Sequence, residues 1–329
     1  MRTLFSRGFS LGISVFSLAL MFAGTSAYAQ TYPSHSITIV VPYAAGGGND
    51  VVARIAAKNL SEILKQPVIV DNRPGGGGTL GSSFVARAPA DGYTLLMVNA
   101  VSHVVAAGLY AKLGYDPVKD FSAVGSIADA SYVVAIYPGV PAHTIEEFVQ
   151  YAKAHPHQLN YASGGVGAMG HIGGELLKTT AGIDLVHVPY KGGAPAIADL
   201  LAGNVQMLIE PVGGIIPLVR QGKLRGLAVT TKQHSDKAPE IPTMEESGYP
   251  GFEIAGRYGL LAPVGTPAEV LSKLNTALAA AVKSPDMAEQ LLAQGVTPQS
   301  LSSREFQDIV KSESIKWLSV IRNADIKPE

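Results

Sequence analysis

One glycine-rich segment of this 329-residue chain maps onto another, without a gap, at a spacing of 118 residues. Gly46-Gly47 falls on Gly164-Gly165, Val68-Ile69-Val70 on Val186-His187-Val188, Arg73 on Lys191 and Gly75 on Gly193. Each segment reads strand, Ala/Ser-Gly-Gly loop, helix, strand, basic-Gly loop. A chain so built is expected to hold two related α/β units, each presenting a glycine loop. Chance similarity between glycine-rich α/β loops is the competing reading.

The rest of the chain alternates in the same way, which places it in the α/β class. Ser36–Tyr43 (SITIVVPY) is an almost continuous apolar run ending at glycines, the pattern of a buried parallel strand. Asp50–Leu64 has helical spacing, with Asn49 or Asp50 as the expected N-cap. Further strands are expected at 67–71, 93–99, 132–136, 159–162, 185–189, 205–209 and 224–230. The tail reads as helices at 267–282, 287–294 and 304–323.

The 25 Lys and Arg against 26 Asp and Glu give a net charge of −1, and no basic cluster stands out, which argues against a nucleic-acid partner. The absence of cysteine removes disulfides, thiolate nucleophiles and thiolate-ligated metals. Arg2 and Arg7, the apolar stretch Leu11–Phe22 and Ala27-Tyr28-Ala29 make residues 1–29 an expected export signal, cleaved before Gln30. The apolar stretch is short for a membrane span, and without a cysteine no lipid anchor is expected. The destination implied is the periplasm.

Several motifs fall short of the chemistry they hint at. Gly76-x-Gly78-x-x-Gly81 and Gly165-x-Gly167-x-x-Gly170 match a dinucleotide fingerprint, but the acidic residue that should end the next strand is missing. Neither cluster continues into Gly-Lys-Ser/Thr, so no nucleotide and no other cofactor is expected. Ser163 and His171 could be nucleophile and base, yet their spacing does not make them neighbours and no G-x-S-x-G elbow surrounds Ser163. No catalytic residue is assigned. His155-Pro156-His157 is a loop pair without zinc-type spacing, and no metal is expected. Glu146-Glu147 read as the first turn of a helix capped by Thr144. The glycine loops make better sense as cradles for a small anion, because loops without Cβ atoms let backbone amides converge at a helix start. Tight turns that bind nothing are the alternative.

The motifs Pro42-Tyr43-Ala44-Ala45-Gly46-Gly47-Gly48-Asn49-Asp50, Asp71-Asn72-Arg73-Pro74-Gly75 and Asp91-Gly92-Tyr93-Thr94-Leu95 resemble the Bug-type periplasmic receptors of tripartite tricarboxylate transporters. So do Asn160-Tyr161-Ala162-Ser163-Gly164, His187-Val188-Pro189-Tyr190-Lys191-Gly192-Gly193, Leu227-Ala228-Val229-Thr230 and Ala262-Pro263-Val264-Gly265-Thr266-Pro267. The match runs in order to Ile326-Lys327-Pro328-Glu329.

This resemblance implies an α/β, two-lobed type II periplasmic-binding-protein fold with the ligand in a cleft between lobes. Lobe one would be 31–126 plus 255–329 and lobe two 127–254. It implies a monomeric, non-enzymatic receptor that takes up a small organic acid and hands it to membrane transporter subunits. A receptor for a signalling protein is the alternative. Carried over by motif, the ligand contacts are Tyr43, Ala45, Gly46, Gly47 and Asn49 in the first loop. In the second they are Ser163, Gly164, Gly165, Gly167 and Ala168, with Tyr190 and Glu210 beside them. Three departures from the family pattern stand out. Glu210-Pro211 replaces a frequent Asp-Asn, Ala168 a common hydroxyl residue, and Arg257 a common Trp or other large apolar residue. Arginine suits a carboxylate, so Arg257 is expected to seat the second carboxylate of a dicarboxylate ligand; pairing with Glu210, or pointing to solvent, is the alternative.

Overall fold

The apolar run at the head of the first unit forms β1 (Ile37–Val41), buried at every position except Thr38. It leads into α1 (Gly48–Leu64), which turns Val52, Ile55, Ala56 and Leu60 to the core. β2 (Val68–Asn72) then returns parallel to β1. The structure, a computed structural model, describes residues 32–110, 113–190 and 192–323. The expected export signal, Lys191 of the repeat and the terminal Ile326–Glu329 stretch lie outside the described residues.

After α2 (Thr79–Ala86), β3 (Thr94–Asn99) lies parallel to β1 on its other side. Asn99 caps α3 (Ala100–Leu109), its side-chain oxygen accepting from Val101 N–H at 3.2 Å. β4 (Phe121–Ile136) is the long element that joins the two halves of the sheet. Beyond it come α4 (Ile145–Ala154), β5 (Asn160–Ser163), α5 (Met169–Ala181) and β6 (Val186–Pro189). They are followed by α6 (Gly193–Ala202), β7 (Met207–Pro211), α7 (Val212–Arg220) and β8 (Arg225–Val229). The chain closes with β9 (Ala255–Pro263), α8 (Ala268–Val282), α9 (Pro285–Ala293), β10 (Val296–Pro298) and α10 (Ser303–Asn323). As expected, α4 starts at Thr144, whose hydroxyl accepts Glu147 N–H at 3.2 Å.

The strands run in the order β2-β1-β3-β9-β4-β7-β5-β6, with β8 and β10 also paired to β4. β4 changes partner along its length. Phe121–Ser131 pairs antiparallel with β9, whereas Tyr132–Ile136 pairs with β7 and β8. The half-sheet beyond Tyr132 carries its own apolar cluster, including Val133, Leu208, Ala196, Leu200 and Ile215.

Both strand–helix–parallel-strand units are present, as β1-α1-β2 and β5-α5-β6. The gap-free match does not equate their loops, however. Gly46-Gly47 immediately precedes α1, while Gly164-Gly165 immediately follows β5. The helix start also differs from expectation: the N-cap is Gly47, in extended conformation, and Asn49 and Asp50 lie inside the first turn.

Candidate functional site

The first glycine loop, residues 42–47, ends at a helix start that no side chain caps. The leading amides of a helix have no intrahelical acceptor, so this end of α1 presents donors and the positive pole of the helix dipole. Ala44 to Gly48 are exposed. Behind them Asp50, 3% exposed, fixes the loop. Its carboxylate accepts Gly46 N–H at 2.8 Å, Arg54 Nε–H at 2.9 Å and Asn72 Nδ2–H at 2.9 Å, and Asn72 also donates to the Tyr43 carbonyl. Burial alone would raise the Asp50 carboxyl, but the hydrogen bonds from Arg54, Gly46 and Asn72 outweigh it and hold it below the usual carboxylate range. Asn49 Oδ1 is buried with no hydrogen-bond partner among the described residues.

The second loop, residues 164–168, is held by a serine and a histidine. Ser163 has no exposed surface. Its hydroxyl lies 2.7 Å from His187 Nε2, accepts Gly165 N–H at 3.1 Å and lies 3.1 Å from the Gly165 carbonyl. His171 Nδ1 accepts Gly167 N–H at 3.1 Å. The two imidazoles stack with centroids 4.2 Å apart, and His187 also stacks on Tyr161, whose hydroxyl donates to Glu175 at 2.6 Å. Burial, then the proximity of His171 and Lys178, pushes His187 down to about 3; burial likewise lowers His171. Both rings are therefore neutral braces at ordinary pH. Ser163 thus meets His187, and His171 holds the loop instead. α5 begins at Met169 behind an extended Ala168, again with no side-chain cap.

Elements from both half-sheets converge near these loops. A Cβ built on Gly167 would stand 3.1 Å from Leu109 at the end of α3, and one on Gly48 would stand 3.0 Å from the Tyr258 hydroxyl. Tyr258, buried on β9, has Tyr132 and Asn99 as hydrogen-bonding neighbours. Tyr43 is turned inward over a tight crevice lined by Pro42, Gly78, Asn99, Ser102 and His103. Burial and then Tyr115 raise its hydroxyl, while Ser102 bonds to it. His103 Nε2 reaches the Pro117 carbonyl at 3.0 Å; its Nδ1 is buried without a partner among the described residues, and burial pushes the ring down to about 4.

Glu210, the penultimate residue of β7, approaches the start of α6. A Cβ on Gly193 would lie 2.9 Å from its Oε2. Burial pushes this carboxyl up to about 7.

Arg257 stands apart from this group, which corrects the readings that pair it with Glu210 or point it to solvent, and leaves no unpaired arm for a second carboxylate. Its Nη2 meets Glu253 at 2.9 Å, its Nε meets Glu313 at 3.2 Å and its Nη1 meets Asp129 at 3.3 Å. The reason is strand periodicity. Neighbouring side chains on β9 point to opposite faces, so while Tyr258 faces Asn99 and Tyr132, Arg257 faces the side covered by α10. All arms of the guanidinium already meet carboxylates, and it does not meet Glu210. Tyr190 borders the second loop through its backbone, its N–H donating to the Ser163 carbonyl at 3.0 Å, but its hydroxyl turns away to Asp199 at 2.6 Å.

Motifs alone do not single out His187, Asn99 and Tyr132 as working parts of this region. His187 is visible only inside the His187-Val188-Pro189-Tyr190 motif. The spacing of Asp50 and Asn72 carries no sign of their contact, which parallel pairing of β1 and β2 creates. Among the described residues no group of three His, Asp or Glu could hold a metal ion. His155 bonds the Tyr151 carbonyl and His157 pairs with Asp184. No helix of the described residues is long and apolar enough to cross a membrane.

Residues 52–326 match the family model described as the tripartite tricarboxylate transporter family receptor. Protein BugT of Bordetella pertussis is 32% identical over 318 residues, covering 96% of this chain and 98% of that protein. Among solved structures, Rpa4515 of R. palustris with adipate shares 36% identity at a TM-score of 0.82, covering 91% of this chain and 100% of its own. MatC from Rhodopseudomonas palustris with bound malate shares 31% identity at a TM-score of 0.79, covering 88% of this chain and 100% of its own.

Proposed function

The chain belongs to the tripartite tricarboxylate transporter receptor family, and from that premise we propose that it captures a small organic carboxylate in the periplasm and delivers it to a membrane transporter. The observation that carries this reading is the pair of glycine loops, 42–47 and 164–168, each running into a helix that no side chain caps. Backbone amides and helix dipoles at two such ends offer a carboxylate donors without needing a free cation. The first loop belongs to the half-sheet of β1 to β3 and the second to that of β5 to β7. Tyr43, Ala45, Gly46, Gly47 and Asn49 on one side and Gly164, Gly165, Gly167 and Ala168 on the other form the proposed contact set. Ser163 acts from behind its loop, and Arg257 is left out. Tyr190 supports the second loop rather than walling the ligand.

The proposed lobes are 31–126 plus 255–329 and 127–254, crossing at β4 and β9. A ligand bridging both loops gains contacts that an open form lacks, so it favours closure by its differential affinity. Moving such an equilibrium from 1:99 to 99:1 takes about 5.5 kcal/mol. The Ser163 hydroxyl has no exposed surface to offer a substrate, which favours a receptor over a hydrolase. Residues 1–29 serve in this account as the export signal. The adipate and malate held by the two solved relatives make aliphatic organic acids the first class to test. Thermal-shift screening of a carboxylate panel against the chain from Gln30 checks the reading. A binder well above its Kd raises the melting point, as several kcal/mol of linkage requires; a panel without one binder contradicts it.

A further inference from the structure

Glu210 is a carboxyl without a counterpart among the described residues. There it makes no hydrogen bond and no ion pair, and burial alone is what raises it to about 7. Among the described residues, the titratable groups that face it are Tyr132 from β4 and Tyr258 from β9, both neutral hydroxyls whose own ionisation its charge disfavours. From α6 it is approached by Gly193, which has no side chain to offer. It stands two residues beyond Leu208 on β7, hence on the same face, above the apolar cluster of Leu208, Ala196 and Leu200. Glu210 is half-buried, and a partly desolvated carboxylate with no partner, kept beside the glycine loops, favours a ligand of complementary charge.

Among the described residues, the arginines of this region are engaged elsewhere. Arg257 meets three carboxylates, Arg54 is bound to Asp50, and Arg73 pairs with Asp71 while lying 3.6 Å over the Phe84 ring. Lys191, two residues before Gly193, lies outside the described residues; among those described no cation meets Glu210, which a charged ligand could do. Resting on the carboxylate-receptor reading above, we propose that the ligand of this chain carries a second group of opposite sign, a cationic nitrogen that pairs with Glu210 while the ligand carboxylate sits on the glycine loops. The ligand class is then an amino carboxylate rather than a dicarboxylate. A second carboxylate would meet Glu210 as a like charge, and would bind only where Glu210 keeps its proton.

The two chemistries give opposite pH dependences. An ammonium group needs Glu210 ionised, so its binding expels the Glu210 proton at acid pH and its affinity rises from pH 5.5 to 8. A second carboxylate needs Glu210 protonated, and its affinity falls over the same range. Calorimetry on the chain from Gln30 with two matched pairs separates them: 4-aminobutanoate against succinate, and 6-aminohexanoate against adipate. The proposal predicts that at pH 8 the amino member of at least one pair binds tenfold or more tightly than its twin. That preference should shrink at pH 5.5 and disappear in Glu210→Gln, a near-isosteric change whose folding is checked by its melting curve. Equal or tighter binding of the dicarboxylates, with affinity falling toward pH 8 in the unaltered chain, overturns the proposal and leaves the carboxylate-receptor reading intact. Failure of all four compounds, together with failure of the wider carboxylate panel, overturns both.

Discussion

The Ser163 hydroxyl and His187 Nε2 lie 2.7 Å apart, joining the end of β5 to β6 directly beneath the second glycine loop. The same hydroxyl takes the Gly165 N–H, so one oxygen fixes both the strand pair and the loop. Ser163→Ala leaves a half-buried imidazole nitrogen and the Gly165 amide without their partner. We expect a loss of about 1–3 kcal/mol in stability, read by urea unfolding, and weaker ligand binding. An unchanged midpoint and affinity would show that the loop does not depend on this bond.

Gly46 and Gly47 are adjacent but not equivalent. Gly46 has φ +85, with nothing within 4 Å of where a Cβ would stand, whereas Gly47 has φ −79. Gly46→Ala should therefore cost about 1–2 kcal/mol through backbone strain, while Gly47→Ala, free of that strain, loses only a preferred N-cap at about 0.5 kcal/mol. Paired denaturation curves check the contrast, and equal effects would contradict the loop conformation.

Arg257 is a structural counter-ion in this account. Arg257→Gln leaves Asp129, Glu253 and Glu313 facing one another in a partly buried cluster. Breaking such a pair costs about 3 kcal/mol, seen as a lowered melting temperature. Ligand affinity in the folded variant should change less than threefold. A selective loss of dicarboxylate binding at constant stability would return Arg257 to the ligand site.

Acid should unfold the protein partly through two desolvated histidines, one buried and one half-buried. His103 is pushed down to about 4 and His187 to about 3, each first by burial. Both are neutral in the fold, while the unfolded chain protonates near 6.5. Their stabilisation is complete above that pH and drains away as pH falls toward 4, with His103 contributing about 3 kcal/mol. Urea unfolding at pH 7 and 4.5 should show a shallower loss in His103→Gln than in the unaltered chain.

Strands and helices with strong apolar periodicity were legible from the residues. β1, β2, β3 and α8 fall within two residues of where the pattern puts them. The first stretch of β4, Phe121–Ser131, and all of β9 were not legible, because packing against helices filled them with small residues. A Cβ on Gly259 would come within 2.3 Å of the Phe306 ring, and one on Gly125 within 2.7 Å of Asn275. Two register shifts in the β4–β9 ladder further blur the alternation. The central strands of the sheet therefore read as loop. In the site, the glycine loops were visible as composition. The Ser163–His187 bond and the isolation of Glu210 arise only once strands far apart in the chain are paired.

Amide chemical shifts test the central claim most directly. In a 15N-labelled chain from Gln30, titration with a carboxylate that raises the melting point should move the amide signals of Gly46 and Gly47 together with those of Gly164, Gly165 and Gly167. All five should fit one Kd. Saturation that moves only one loop, or neither, would contradict capture of the carboxylate between the two.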